Sequence, residues 1–202
     1  MAEARERRSE RERGLLLVGG MAALMWAVEV VDLAAGDLDA NGIRPRDGEG
    51  LLGIALAPFL HGDFGHLIGN TIPFLVLGAV IALSGLARVA AVTGIVAVGG
   101  GLGTWLVGPG DTVHIGASGI VFGYATYLLA RGMYSRRLLH LGTGVIILAL
   151  FGTTLLFGLI PSAGVSWQGH LFGALSGVLA ARVLDARRDL AAPGPAVGGA
   201  RV

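Results

Sequence analysis

Apolar residues along this chain gather into long blocks, with the charged residues between them. A helix that crosses a bilayer needs roughly 20 mostly apolar residues. Six blocks approach that length: 14–34, 66–84, 89–107, 116–132, 138–160 and 168–187. The first two are separated by a mixed stretch, 35–65, that opens on Asp37 and Asp39 and closes on the apolar run Leu51–Leu60. That run is too short to span and is expected to lie at the interface or dip into the protein. The pattern predicts an all-α membrane protein, a bundle of six transmembrane helices with a large first outer loop. It divides the chain into a charged segment 1–13, a membrane domain 14–190 and an Ala/Pro/Gly-rich tail 191–202 that is expected to be flexible.

Charge placement orients the bundle. Of 15 arginines, all but Arg44 and Arg46 fall in the N-terminal segment, near Arg88, around Arg131, Arg136 and Arg137, or from Arg182 onward. With six spans these positions share one side, which is expected to be cytoplasmic and to hold both termini. The opposite side carries Asp32, Asp37, Asp39, Asp47, Glu49, Asp63 and Asp111. The first apolar block lacks a small-residue cleavage site and reads as a retained helix, not a signal peptide.

Composition agrees with a cell-membrane protein. Hydrophobic residues make up 53% and charged residues 14%, with mean hydropathy +0.71, whereas soluble domains carry about 25% charged residues. The 35 glycines follow no collagen period and suit close helix–helix contacts. A net charge of +1 argues against a nucleic-acid partner. Without cysteine there is neither a disulfide framework nor a thiolate metal site. Basic residues are all arginine, as in proteins of GC-rich bacterial genomes.

Against this background a few polar residues stand out, because a hydroxyl or imidazole within a membrane costs free energy unless it has a partner or a task. Ser118, in Gly116-Ala117-Ser118-Gly119, opens the fourth block, and His170 opens the sixth. Ser118 lies 13 residues before Arg131 and His170 lies 12 before Arg182. At 1.5 Å per residue both sit roughly 18–20 Å above the arginine level, in the outer half of the membrane. Serine and histidine are the minimal pair for nucleophilic catalysis. At a helix start, Ser118 offers its own unpaired N–H to an oxyanion, and Gly116 and Gly119 permit a tight turn. The competing reading is a helix cap beside a structural histidine. His66 and Asn70, at i and i+4 on the second block, share a face and can both donate hydrogen bonds, either to an oxyanion or as an interhelical clamp. His170, Gly173, Ala174 and Gly177 share a face, and the two glycines admit a close neighbour. His61 reads as structural, fixing the loop before the second helix.

A zinc site is disfavoured: there is no H-E-x-x-H and no glutamate beside His61, His66, His114 or His170. No cofactor is expected. Asp111 is the acid nearest the serine in sequence but lies in a loop, so a Ser–His dyad is simpler than a triad.

Together these residues resemble the rhomboid family of intramembrane serine proteases. His66-Leu67-Ile68-Gly69-Asn70 is similar to its H-x-x-x-N, Gly116-Ala117-Ser118-Gly119 to its G-x-S-G, and His170 with Gly173 and Gly177 to its H-x-x-G-x-x-x-G. The order and helix placement match over the six-span core. The resemblance implies Ser118 as nucleophile and His170 as general base. It implies an oxyanion site of His66, Asn70 and the Ser118 N–H, and membrane-spanning segments of other proteins as substrates. It further implies a first loop partly embedded in the bilayer and a fifth helix that moves aside for substrate. Two positions depart from the pattern. Phe122 stands where some members have tyrosine under the histidine, losing a hydroxyl but keeping an aromatic face. The first loop, with Gly42-Ile43-Arg44-Pro45, has no evident Trp-Arg pair to anchor it.

Two alternatives stand beside this reading. One is an inactive relative that binds membrane clients, against which the presence of both Ser118 and His170 argues. The other is a six-helix transporter, which would need paired acids or broken helices near the midplane; Glu29 is the only intramembrane acid.

Overall fold

The computed structural model describes residues 1–162 and 164–186. The tail 191–202 and the last residues of the expected membrane domain lie outside them. The chain is helical: α1 (Ala2–Ala35), α2 (Gly53–Leu56), α3 (Phe64–Ala82), α4 (Leu86–Val107), α5 (Ser118–Ser135), α6 (Leu138–Gly158) and α7 (Trp167–Asp185). The six long helices correspond to the six apolar blocks. Four of them, α1, α3, α4 and α6, are long and apolar enough to cross a membrane by length and composition alone. The other two, α5 and α7, pack most extensively on each other and form the centre. Most of α5 and one face of α7 are buried in protein, so they can carry tyrosines, histidine and arginine there, while Leu175, Val178, Leu179 and Val183 leave α7 an exposed apolar face.

Helix α1 runs without a break from the charged segment into the apolar one. Glu3–Arg7 (3.2 Å), Arg8–Glu12 (2.9 Å) and Glu10–Arg13 (3.3 Å) pair along its exposed surface. Such pairs each contribute a few tenths of a kcal/mol to helix formation.

Glycine sets how closely the central helices approach. A Cβ on Gly173 would strike the Gly119 carbonyl, and one on Gly177 would strike the Gly123 carbonyl and Thr126 Oγ1. On its other side α7 meets α4, where a Cβ on Gly100 would lie 3.2 Å from Gly173 Cα. Thr126 Oγ1 also donates to Ala174 O at 2.8 Å, a polar bond across the α5–α7 seam. Helix α1 packs on α3, whereas α6 leans on α5 and buries only Gly144 and Ile147.

At the arginine-rich end, Asp185 of α7 takes Arg88 of α4 at 3.3 Å and Arg131 of α5 at 3.5 Å. Tyr127 donates to Asp185 at 3.2 Å and Arg131 donates to Ser84 at 3.0 Å. Three helices and the α3–α4 turn meet at one buried carboxylate. Arg88, Arg131 and the end of α7 therefore share a level, as the charge pattern predicts.

The apolar run Leu51–Leu60 forms two 3₁₀ turns flanking α2 and spans nothing. The first loop is anchored through contacts that no local motif announces. Ile43 and His114 exchange both backbone hydrogen bonds at 2.9 Å, and Gly116 N donates to Ala57 O at 2.8 Å. Arg46 donates to Gly108 O at 2.7 Å, and Trp105 of α4 donates to Asp47 O at 2.8 Å. The anchoring arginine and tryptophan lie on different elements, which is why the loop's own sequence lacks the pair.

Candidate active site

Ser118 is the first residue of α5 because the chain turns sharply just before it. Gly116 has φ 103°, a conformation that costs glycine little and other residues much. The turn is held from the first loop: Ala117 N donates to His61 Nε2 at 3.4 Å, next to the Gly116–Ala57 bond. His61 is fully buried, and its ring meets that of His66 edge-on at 5.1 Å. Burial, with the charge of His66 adding to it, pushes the His61 pKa down to about 4, so at neutral pH it is an acceptor for that amide.

His170 Nε2 lies 2.8 Å from Ser118 Oγ. Its Nδ1 lies 2.6 Å from the carbonyl of Gly158, the last residue of α6. A carbonyl can only accept, so Nδ1 carries the proton. Nε2 of the neutral ring is then the acceptor, and the serine hydroxyl donates to it. Phe122 stacks on the imidazole with centroids 4.1 Å apart and planes 5° apart. No carboxylate hydrogen-bonds His170 among the described residues, and Asp111 sits in an exposed turn.

His66 and Asn70 come from α3, whose start is capped by Asp63 accepting from His66 N at 2.8 Å. Both side chains face the serine turn. A Cβ on Gly116 would lie 2.7 Å from the His66 ring and 3.4 Å from Asn70 Nδ2. Asn70 is buried, and its Nδ2 has no partner among the described residues. A buried donor left unpaired costs about 1–3 kcal/mol and asks for an explanation. Ser118 opens onto a cavity of about 50 Å³ walled by Gly119, Thr104, His114, Ser166 and aliphatic side chains.

Of the residues singled out from sequence, Ser118, His170, His66, Asn70, Gly116 and Phe122 thus lie together. Gly119, Gly173 and Gly177 line the α5–α7 seam directly below. The Gly158 carbonyl and Ser166 escaped the sequence reading, and His114 entered it only among the histidines of a disfavoured zinc site. A backbone acceptor leaves no residue-type signal, but the other two left one: His114 precedes Ser118 by the four residues that separate Ser166 from His170.

Fold and site define a multi-helix membrane protein with a partly buried serine–histidine pair. The model of the Rhomboid domain matches residues 49–187, and the chain belongs to the rhomboid family. It is 47% identical over 174 residues to an uncharacterized protein of Mycobacterium tuberculosis (strain H37Rv), covering 81% of this chain and 72% of that one. It is 46% identical over 185 residues to an uncharacterized protein of Mycobacterium leprae, covering 84% and 73%. Over 121 residues it is 32% identical to the Bacillus subtilis protein named "Putative rhomboid protease YdcA", covering 59% and 60%.

Proposed function

We propose that this rhomboid protein is an intramembrane serine endopeptidase that cleaves membrane-spanning segments of other proteins in the bacterial cell membrane. The observation that carries the reading is the 2.8 Å contact of Ser118 Oγ with a histidine whose other nitrogen is committed to a carbonyl. In the first step Ser118 Oγ bonds to the scissile carbonyl carbon and its proton passes to His170 Nε2. The imidazolium is stabilised by the Gly158 carbonyl, at the negative end of α6, and by the face of Phe122. These groups take the place of a triad carboxylate. The oxyanion receives Asn70 Nδ2–H, the His66 ring and the Ser118 N–H, donors already in place and poorly solvated. Collapse breaks the C–N bond, and the leaving amine takes the proton from His170. A water in the cavity, held by Thr104, His114 or Ser166 among its aliphatic walls, then hydrolyses the acyl-enzyme with His170 again as base.

The test is cleavage of a panel of single-span substrates by the protein in liposomes. Wild type is expected to cut at least one, near the end that lies on the Ser118 side of the membrane. Ser118→Ala and His170→Ala are expected to cut none. Equal cleavage by Ser118→Ala overturns the reading.

A further inference from the structure

The cavity beside Ser118 contains a second serine–histidine pair, which the proposed reaction does not use. His114 Nδ1 lies 2.6 Å from Ser166 Oγ, and both residues line that cavity. The protons can be assigned from the partners. Thr112 Oγ1 donates its hydrogen to Pro109 O at 2.7 Å, so toward His114 Nε2, 2.9 Å away, it acts as acceptor. His114 Nε2 therefore carries the ring proton, Nδ1 is the acceptor, and the Ser166 hydroxyl donates to it. This is the opposite tautomer to that of His170. Burial holds the His114 pKa down, which favours this neutral form.

Both pairs join residues 52 apart in sequence. His114 stands four residues before Ser118, and Ser166 stands four before His170. Ser166 is the N-cap residue of α7, yet its hydroxyl makes no cap bond. A serine there ordinarily caps its own helix; this one reaches across to His114 instead. Its carbonyl meanwhile accepts from His170 N at 3.1 Å. His114 is tied by its backbone to Ile43 of the first loop. The two side-chain bonds close a ring through the serine turn and the first turn of α7.

Packing also reaches that end of α7, where a Cβ on Gly103 of α4 would strike the Phe172 ring, but packing alone does not fix the helix start to the serine turn. The Gly158 carbonyl belongs to α6, the least buried of the spans. Stacking on Phe122 fixes the plane of the His170 ring but leaves it free to slide. The glycine contacts of α5 with α7 begin at Gly119, where a Cβ would lie 3.2 Å from Gly169 O, and run inward through Gly173 and Gly177. Apart from the dyad itself, His114–Ser166 is the one side-chain hydrogen bond between the serine turn and the start of α7 among the described residues.

We propose that His114 and Ser166 are positioning residues whose hydrogen bond fixes the start of α7 against the serine turn and so keeps His170 Nε2 on the Ser118 hydroxyl. The proposal rests on reading Ser118 and His170 as a catalytic pair. A displacement of about 1 Å can cost roughly 10²-fold in rate. In liposomes, with a single-span substrate that wild type cleaves, Ser166→Ala should lose about 10- to 100-fold in kcat with KM within about twofold. Ser166→Thr and His114→Asn, which keep a hydroxyl and an acceptor at the Nδ1 position, should recover most of that loss. Combining His114→Ala with Ser166→Ala should be no worse than the poorer single variant. A wild-type kcat for Ser166→Ala, or an equal loss in Ser166→Thr, overturns the proposal. A second readout needs no turnover. In a Ser118→Ala background, Ser166→Ala should speed hydrogen exchange of the His170 amide about tenfold. If wild type cleaves nothing, the protease reading fails while the exchange measurement still decides the clamp; unchanged exchange overturns the clamp.

Discussion

The two ends of the α5–α7 pair both bury polar groups and differ in what those groups face. At the arginine-rich end, the Asp185 carboxylate is charge-matched by Arg88 and Arg131 and accepts from Tyr127, although Arg131 Nε, 3.5 Å from the carboxylate, makes no hydrogen bond. At the other end, Ser118 and His170 are joined to each other, but Asn70 Nδ2 points at the serine turn with no partner. A buried polar group costs free energy unless it is paired. The matched cluster therefore explains itself as structure, a tie among α4, α5 and α7. The unmatched donor does not, and an oxyanion that exists only during reaction is what it is proposed to meet.

This contrast is exposed to substitution from both sides. The largest expected effect is on turnover: Ser118→Ala and His170→Ala should each abolish cleavage, and the double variant should be no worse than either. Ser118→Ala should melt within a few degrees of wild type in detergent, because it removes a site contact and no packing, whereas His170→Ala also loses the stack on Phe122 and should melt somewhat lower. Asp185→Ala should do the reverse. It leaves Arg88 and Arg131 buried without their anion, a change that costs about 3–5 kcal/mol in comparable buried pairs. The thermal midpoint should fall steeply while the folded fraction keeps its kcat. If Asp185→Ala melts like wild type, the cluster is not the tie described.

Gly173→Leu and Gly177→Leu should damage both ends at once, since each side chain would enter the space of an α5 carbonyl. Activity and thermal stability should drop together. Variants that melt and cleave normally would mean that the seam is looser than its glycines indicate.

Asn70→Ala should lower kcat by up to about 10²–10³-fold if this donor dominates, and by less if His66 and the Ser118 N–H share the oxyanion. Because the group it removes is unpaired, stability should hold or rise slightly. An effect confined to KM would place Asn70 in substrate binding instead.

The smallest effect concerns His61. Its folded pKa, about 4, lies below the ordinary histidine value of 6.5. Between those values the unfolded chain binds more protons than the folded one. The contribution is whole above pH 6.5 and is lost as pH falls toward 4. In Ser118→Ala protein, which removes catalysis from the readout, the melting temperature should fall across that window. His61→Gln keeps an acceptor near the Nε2 position without titrating, and should flatten the slope. Identical slopes would show that His61 does not titrate on unfolding.

Much of this architecture was legible before the fold was known, for physical reasons. Spans announce themselves because a lipid-facing helix must be mostly apolar along its length, as α6 is. The arginine pattern placed Arg88, Arg131 and Arg182 on one side, and the Asp185 cluster joins the first two of them. Equal depth from those arginines put Ser118 and His170 in one layer, though depth alone says nothing about adjacency; glycine contacts between α5 and α7 supply that. What stayed hidden depends on backbone atoms or on distant chain. The Gly158 carbonyl has no side-chain signature. Anchoring of the first loop joins Arg46 to Gly108 and Asp47 to Trp105, contacts that run between elements. The charged segment 1–13 read as separate from the first span, yet it continues α1, because helix formation depends on backbone and i to i+4 pairing more than on polarity.

The central claim is that Ser118 is a nucleophile activated by His170, and covalent labelling tests it most directly. Wild-type protein in liposomes would be treated with a fluorophosphonate and the adduct mapped by mass spectrometry. The account predicts modification at Ser118, absent in Ser118→Ala and slowed by at least about 10³-fold in His170→Ala, the scale of losing a catalytic base. Labelling of Ser118 at the same rate in wild type and His170→Ala, or no Ser118 adduct in wild type under conditions that label a control serine protease fully, would contradict it.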